Sequence, residues 1–432
     1  MKKIFYLLMI LVVLGCDSKS TRETFPTPSL PTPFVKDKTV SMTRDQYYDK
    51  VLGMLVGSAI GDAMGAPTEM WDRKSIALQK GYVDSLDLLI REQSPEGPWL
   101  TNMPAGSTTD DTRWKYLGIQ YLITQSPDSL NPFDFAKHII DTYDRERISL
   151  ERKAGSYESI DQTFVHLTWL IEWVKVARPF MEEDLIAYNN NLSKFYGGEM
   201  SCAGMLYAPV IGACFPESPT VAYQQAYNLS IFDIGYARDI SALTAAYISK
   251  AMEPNIAFNE ITLLTRATDP QHYFNSRLIG RMAFKAYENA KYIVGESRSL
   301  KEKDIPSKLR VPTNFKHGAL YYVQLQKAYS LLEARLQDVP FHAGEIHLIN
   351  LTALEFSDGD FTKAIEFVTN FGRDNDTVGA VTGAILGAYW GVDKLPQAMV
   401  VKALNTSKET VGIDLEKLAQ QLVDHRMGNT LK

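Results

Sequence analysis

Apolar residues recur at helical spacing through most of the chain, beginning shortly after residue 40. In the first such segment Val51 and Leu55 lie four residues apart on one predicted helix face. Thr43 and Gln46 precede it with the spacing of a capping box, which predicts that the helix begins there. No segment alternates apolar and polar residues for long enough to predict a β-sheet. The pattern therefore predicts an all-α protein with a single large multi-helix domain over residues 43–427.

The same periodicity predicts a succession of further helices. They are expected near Met205 and over residues 133–143, 160–176, 184–190, 220–228, 234–252, 273–294, 343–354, 361–370 and 414–425. Residues 144–157 and 296–313 are charged and weakly periodic, and we interpret them as surface connections.

Two of the predicted helices carry glycine at every fourth position. The glycines are Gly53, Gly57, Gly61 and Gly65 in the first helix and Gly379, Gly383, Gly387 and Gly391 near the C-terminus. A glycine inside a helix costs roughly 1 kcal/mol relative to alanine, so a stripe of them indicates close approach of another backbone. If the two helices pack on each other, Asp62 and Glu69 come near Asp374 and Asp376.

Two short acidic segments, residues 108–112 and 372–377, lie far apart along the chain. Each places carboxylates and hydroxyls before an apolar helical run, which is also ordinary helix N-cap material. A cap needs one acceptor, however, and adjacent carboxylates such as Asp110 and Asp111 repel each other. A cation would account for the excess charge, and these oxygens suit Mg²⁺, Mn²⁺ or Ca²⁺ better than zinc. The candidate ligands are Thr109, Asp110, Asp111, Asp374, Asp376 and Thr377.

The N-terminus has the pattern of an export signal. Lys2 and Lys3 precede an apolar run over residues 4–14 that is too short to span a bilayer. The run ends in a sequence that resembles a bacterial lipobox, which predicts a signal peptide over residues 1–16 and lipidation of Cys16. An ordinary signal peptide or a frayed apolar tail is the alternative. Residues 17–42 are polar and proline-rich, so we expect a tether that holds an exported domain to a bacterial membrane, facing the periplasm or the surface.

Composition narrows the class of protein further. A formal net charge of −6 argues against a nucleic-acid partner, which would require a basic face. Cys202 and Cys214 could form a disulfide in an oxidising compartment or remain thiols in the core, and their helical surroundings favour core thiols.

The motifs together resemble one enzyme family. Residues 53–65, with Glu69 after them, resemble the opening of the ADP-ribosylglycohydrolase family (dinitrogenase-reductase-activating-glycohydrolase-like). Residues 109–112 and 374–377 match its first and second metal motifs, and the resemblance spans roughly residues 48–391. It implies an orthogonal multi-helix fold with two Mg²⁺ ions, or Mn²⁺ in their place. It also implies hydrolysis of an N- or O-glycosidic bond at the anomeric carbon of an ADP-ribosyl group.

The resemblance also implies roles for individual residues. The six candidate ligands become metal ligands, and Glu69 becomes a mobile acid near the reacting carbon. Glu69 or Asp111 is the predicted catalytic group that takes the proton of the attacking water. Asp62 is a candidate substrate contact. Trp114, Tyr207 and Tyr236 could stack a base, although aromatic residues at helical spacing are more often core.

The middle motif departs from the family pattern. Residues 201–206 stand where the family often has an Asn-Gly string and a Met-Arg pair, and Leu206 cannot offer the charge of an arginine. A family histidine also has no equivalent near residues 230–233.

Three functions are therefore considered: an exported magnesium-dependent hydrolase of an ADP-ribosyl or related ribosyl or nucleoside substrate, a metal-containing binding protein without turnover, and a structural lipoprotein. The presence of Glu69 favours the hydrolase, because a binding protein does not need this acid.

Overall fold

Helix follows helix through the part of the chain that the structure describes. The structure is a computed structural model, and it describes residues 40–90, 103–126, 130–153 and 167–428. Within these ranges β-structure is limited to isolated antiparallel bridges, so the predicted all-α class is confirmed. The α-helices of the described residues are α1 Arg44–Gly65, α2 Arg73–Gln79, α3 Asp110–Leu122, α4 Pro132–Lys153, α5 Thr168–Met181, α6 Leu185–Leu192, α7 Ala203–Cys214, α8 Pro219–Leu229, α9 Ala237–Ala251, α10 Asn259–Ala267, α11 Met282–Ser299, α12 Ala319–Glu333, α13 Ala343–Ser357, α14 Phe361–Phe371, α15 Asn375–Trp390, α16 Gln397–Thr406 and α17 Leu415–Met427.

The predicted start of α1 is confirmed by its capping contacts. The Thr43 side chain accepts a hydrogen bond from the Gln46 amide, and the Gln46 side chain accepts one from the Thr43 amide at 2.9 Å. This reciprocal pair satisfies two of the amides that a helix N-terminus leaves without partners.

Several predicted helix boundaries are wrong, for identifiable reasons. Residues 144–153 belong to α4 rather than to a connection, because exposed and half-buried charged side chains hide the helical period there. The helix predicted from residue 273 begins at Met282 instead. Leu278 and Gly280 before it have φ of 70°, a left-handed conformation that a helix does not accommodate. Helices α2, α12 and α16 escaped prediction, and each buries few residues, such as Ile76 alone in α2.

The predicted signal peptide, the lipidation residue Cys16 and nearly all of the tether lie outside the described residues. In the ranges that are described, no helix combines the length and the apolar character required to cross a membrane. Cys202 and Cys214 are buried thiols without a disulfide, as predicted.

The two glycine-striped helices, α1 and α15, cross backbone to backbone at the centre of the fold. A Cβ atom added at Gly57 would overlap the carbonyl oxygen of Gly383, and one added at Gly383 would overlap that of Gly57. Gly61 faces Gly379 in the same reciprocal way. Helix α1 is buried continuously from Val51 to Gly65, as expected of a helix surrounded by others. The predicted packing of the two stripes is confirmed.

The other helices surround this central pair. Helices α7, α8 and α9 pack on one another, while α11 packs between α12 and α13. Helix α15 also contacts α9, α13 and α14, and α3 lies against α7. The crossing of α1 and α15 therefore connects both groups of helices.

We expect Gly57→Ala to lower the free energy of unfolding by roughly 1–3 kcal/mol, since the added methyl group must separate two backbones in contact. Urea unfolding followed by circular dichroism measures the change. Gly295→Ala is the matched control, because Gly295 lies inside α11 with nothing within 4 Å of an added Cβ. The control variant should gain stability, by about 1 kcal/mol. Equal stability changes in the two variants would contradict the close-packing account.

Candidate metal centre

The segment that carries Glu69 pairs with the segment that carries the second acidic motif. The Arg373 amide donates to the Trp71 carbonyl at 2.7 Å, and the Met70 amide donates to the Arg373 carbonyl at 2.7 Å. A Cβ atom on Gly372 would overlap the Trp71 carbonyl, so glycine permits this approach. The two backbone hydrogen bonds hold the loop after α1 beside the N-terminus of α15.

Glu345 supports the unusual backbone of this loop. Arg373 has a left-handed φ of 69°, a conformation that carries strain in a residue other than glycine. Its guanidinium makes a two-pronged ion pair with the buried Glu345 carboxylate, at 2.7 Å and 3.0 Å, and also donates to the Gln337 carbonyl. The same carboxylate accepts from the Gln337 amide at 2.6 Å. Paired, charge-assisted hydrogen bonds of this kind fix geometry strongly.

Asp62 orders the first acidic segment from α1. Its carboxylate accepts from the Thr109 amide at 2.9 Å and from the Thr112 hydroxyl at 2.7 Å. Burial, reinforced by the negative charge of Asp111, raises the pKa of Asp62 to about 7. Both oxygens are engaged and the side chain has no exposed surface. This geometry favours a positioning role for Asp62 over the predicted contact with substrate.

Three carboxylates from the two paired loops converge. One oxygen each from Glu69, Asp374 and Asp376 lies within 4.8 Å of the others. Burial and the negative charges of Asp376 and Asp111 raise the pKa of Asp374 well above its usual range. A divalent cation would offset the repulsion, and an all-oxygen donor set suits Mg²⁺ or Mn²⁺. The residues present therefore fit a hard divalent ion.

Some of the predicted site residues line a pocket at the three carboxylates, and others are buried beside it. One pocket is lined by Glu69, Asp110, Asp374, Asp376 and Thr377. Thr109 and Asp111 are buried next to them. Thr109 accepts a long hydrogen bond from the Asp111 amide at the start of α3, and Asp111 accepts from the Thr377 hydroxyl at 3.0 Å. The structure thus brings the two acidic segments into contact. It also places Glu69 with Asp374 and Asp376, as the glycine stripes predicted.

Sequence reasoning missed Lys115. Its amine lies 3.3 Å from Asp111 Oδ1 and donates to the Asp111 carbonyl at 3.0 Å, and its side chain is 2% exposed. The spacing of four residues from Asp111 along α3 puts the two side chains on one face and could have pointed to the pair.

The rest of the pocket lining, here called the apolar wall, is mostly apolar and includes residues of the divergent middle motif. Its residues are Met70, Trp173, Tyr196, Ser201, Cys202, Ala203, Leu206 and Phe341. Sequence reasoning missed the aromatic members, because they come from segments far apart in the chain. The Cys202 thiol lies 3.8 Å from Asp374 Oδ2. Leu206 replaces the expected arginine directly at the pocket.

The aromatic residues considered for base stacking lie elsewhere. Trp114 is fully buried against Trp173, with ring centroids 4.0 Å apart, and the buried Tyr207 donates to the Leu229 carbonyl at 2.9 Å. Both are core residues. Tyr236 is half-buried and packs near Gly344, outside the residues that line the pocket.

The motifs, the helical fold and the acidic pocket can be compared with known proteins. A family model described as ADP-ribosylglycohydrolase matches residues 43–431, nearly the whole chain beyond the predicted tether. The chain belongs to the ADP-ribosylglycohydrolase family. It is accordingly a glycosidic-bond hydrolase, of a family that depends on divalent metals. The three converging carboxylates agree with the dependence of this family on divalent metals.

Individual relatives share most of their length with the chain. ADP-ribosylhydrolase ARH3 of Mus musculus is 22% identical over 350 residues, which cover 80% of this chain and 85% of that protein. Uncharacterized protein YegU of Escherichia coli (strain K12) is 21% identical over 356 residues, covering 81% and 90%. A solved structure described as an ADP-ribosylglycohydrolase-related protein complex matches with a TM-score of 0.52 and 16% identity, over 89% of this chain and 100% of that one. That likeness shows the fold.

We expect Glu345→Ala to lower the free energy of unfolding by about 2 kcal/mol or more, because Arg373 and the Gln337 amide lose a buried charged acceptor. Urea unfolding measures the loss. Asp141→Ala is the control. It removes an exposed ion pair with Lys137 on α4, which contributes about 1 kcal/mol at most. If the two variants are equally stable, Glu345 does not hold the loop in place.

Proposed function

We propose that the chain is a magnesium-dependent hydrolase that cleaves an N- or O-glycosidic bond of an ADP-ribosyl or related ribosyl compound. The observation that carries the proposal is the convergence of Glu69, Asp374 and Asp376 at a pocket also lined by Asp110 and Thr377. Oxygen donors are what Mg²⁺ prefers, with Mn²⁺ as the alternative ion.

The metal would be held by the two acidic segments. Asp110, Asp374, Asp376 and Thr377 offer oxygens at the pocket. Thr109 and Asp111 are buried, and Asp111 contacts Thr377. When bound, the metal supplies positive charge that orients ribose hydroxyls and polarises a water.

Glu69 is the proposed catalytic carboxylate. It is half-buried on the loop after α1 and lines the pocket. Cleavage at an anomeric carbon develops oxocarbenium-like positive charge, which a neighbouring carboxylate stabilises. Glu69 would take a proton from the attacking water as the hydroxide adds to the carbon and the glycosidic bond breaks, and it would then give that proton to the leaving group. Asp111 is the second candidate base, although its oxygens contact Lys115 and Thr377.

The apolar wall bears on the class of substrate. The aromatic residues Trp173, Tyr196 and Phe341 could pack against a base or a sugar face. The name of the mouse relative supports an ADP-ribosyl group. Leu206, however, offers no positive charge to a diphosphate, so the proposed class extends to neutral ribosyl compounds and nucleosides.

We expect Mg²⁺ to raise the melting temperature of the wild-type chain, since a ligand that binds the folded state stabilises it. Asp374→Ala and Asp110→Ala should lose Mg²⁺ binding in calorimetric titrations while keeping their helicity. Asp141→Ala alters an exposed side chain on α4 that does not line the pocket, and it should bind Mg²⁺ as the wild type does. Unchanged titrations for both site variants would refute the metal centre.

The Glu69→Gln variant tests whether Glu69 acts as the catalytic base or as a metal ligand. It should still bind Mg²⁺ and lose turnover by about 10²- to 10⁴-fold, as loss of a general base predicts. The rates are measured on a panel of ADP-ribosylated peptides, ADP-ribose derivatives and nucleosides. If Glu69→Gln loses Mg²⁺ affinity and turnover in parallel, Glu69 is a metal ligand instead. If the wild-type chain binds Mg²⁺ but cleaves none of the panel, the result supports a metal-containing binding protein without turnover.

We also propose that the chain is exported and anchored to a bacterial membrane through a lipid on Cys16, as the N-terminal sequence indicates. In bacteria expressing the full chain, labelled fatty acid should be incorporated by the wild type and not by Cys16→Ser. Cys202→Ser, which alters a buried thiol, is the control and should be labelled normally. Labelling of the Cys16→Ser variant would disprove the assignment.

A further inference from the structure

Lys115 is a buried cation beside Asp111, one of the predicted metal ligands. Its side chain is 2% exposed, although lysine is almost never fully buried unless it is paired. Among the described residues its amine donates to two atoms, the carbonyl and the carboxylate of Asp111, at 3.0 Å and 3.3 Å. A lysine that left Asp111 would keep its amine inside the protein without these partners, at a cost in desolvation free energy.

Each oxygen of the Asp111 carboxylate accepts from a different donor. Oδ1 accepts from Lys115, and Oδ2 accepts from the Thr377 hydroxyl at 3.0 Å. The hydroxyl can rotate and offer a lone pair to an ion, which would release Oδ2. The ammonium group has no lone pair to offer and remains a fixed positive charge. Asp111 therefore has one oxygen available to a cation.

Three other carboxylates of the site converge at one place. In the described part of the chain, one oxygen each from Glu69, Asp374 and Asp376 lies within 4.8 Å of the others, close enough to hold one ion. Asp111 does not belong to this group. A second divalent ion bound to Asp111 would lie close to the Lys115 ammonium, which is 3.3 Å from Asp111 Oδ1. Two positive charges this close together in a buried site repel each other strongly.

We propose that Lys115 supplies the positive charge that a second divalent ion would otherwise bring to Asp111, so that the centre holds one divalent ion. The inference rests on the proposed metal centre and concerns its stoichiometry. It assigns Lys115 as a positioning residue, which fixes Asp111 and limits the number of ions without contacting the substrate.

The number of bound ions tests the proposal directly. The full-length wild-type chain, titrated with Mn²⁺, should bind one ion and give the electron paramagnetic resonance spectrum of isolated Mn²⁺. Lys115→Met keeps an apolar stem of similar length and removes the charge. It should bind a second Mn²⁺ about tenfold more tightly than the wild type or better, equivalent to about 1.4 kcal/mol, with the spectrum of a spin-coupled pair. Lys115→Arg retains the charge and should bind one ion.

Two results would overturn the proposal: two coupled Mn²⁺ ions in the wild type, or the same stoichiometry and affinity in Lys115→Met as in the wild type. Far-ultraviolet circular dichroism checks the fold of each variant, and if Lys115→Met does not fold, the wild-type count decides alone. A wild type that binds no ion would overturn both this inference and the proposed metal centre. A wild type with one ion and no turnover on the substrate panel would remove the proposed function and leave the stoichiometry standing.

Discussion

The contact on which the rest of the structure depends is the crossing of α1 and α15 through facing glycines. Side chains normally keep helix axes apart, and here their absence lets two backbones touch over several turns. The glycines lose conformational entropy on folding, and close packing offsets that loss. The stripe continues to Gly65, where an added Cβ would overlap the backbone of Asn375 and Asp376. The same contact thus sets the distance between the end of α1, which Glu69 follows, and the start of α15, which carries Asp376.

The acidic site uses this proximity but requires its own supports. Asp62, the last acidic residue of α1, orders the segment before α3 through two hydrogen bonds. Glu345 on α13 holds Arg373 in its left-handed conformation next to Asp374. Neither support touches the pocket, and each acts by restricting the backbone from which ligands project. A site of this kind binds cations because the fold prevents its carboxylates from moving apart.

Local patterns predicted a substantial part of this arrangement and failed where the pattern was weak. The predictions of the capping box at Thr43 and of the two packed stripes were correct because each signal is a regular spacing within its own helix. The α4 extension was missed because a helical segment with exposed charged side chains shows little apolar periodicity. The start of α11 was wrong because left-handed residues at Leu278 and Gly280 interrupt a segment whose composition favours helix.

The sequence by itself determined the all-α class, the family and the identity of the acidic residues, since periodicity and motifs are local properties of the chain. The tertiary structure decided which of those residues face the pocket and which face one another. It placed Glu69 with Asp374 and Asp376, and turned Asp62 toward the Thr109 amide. It also joined Lys115 to Asp111 in the interior, although the spacing of four residues allows an exposed pair equally well. These outcomes depend on burial and on contacts between distant segments, which only the packing of the helices fixes.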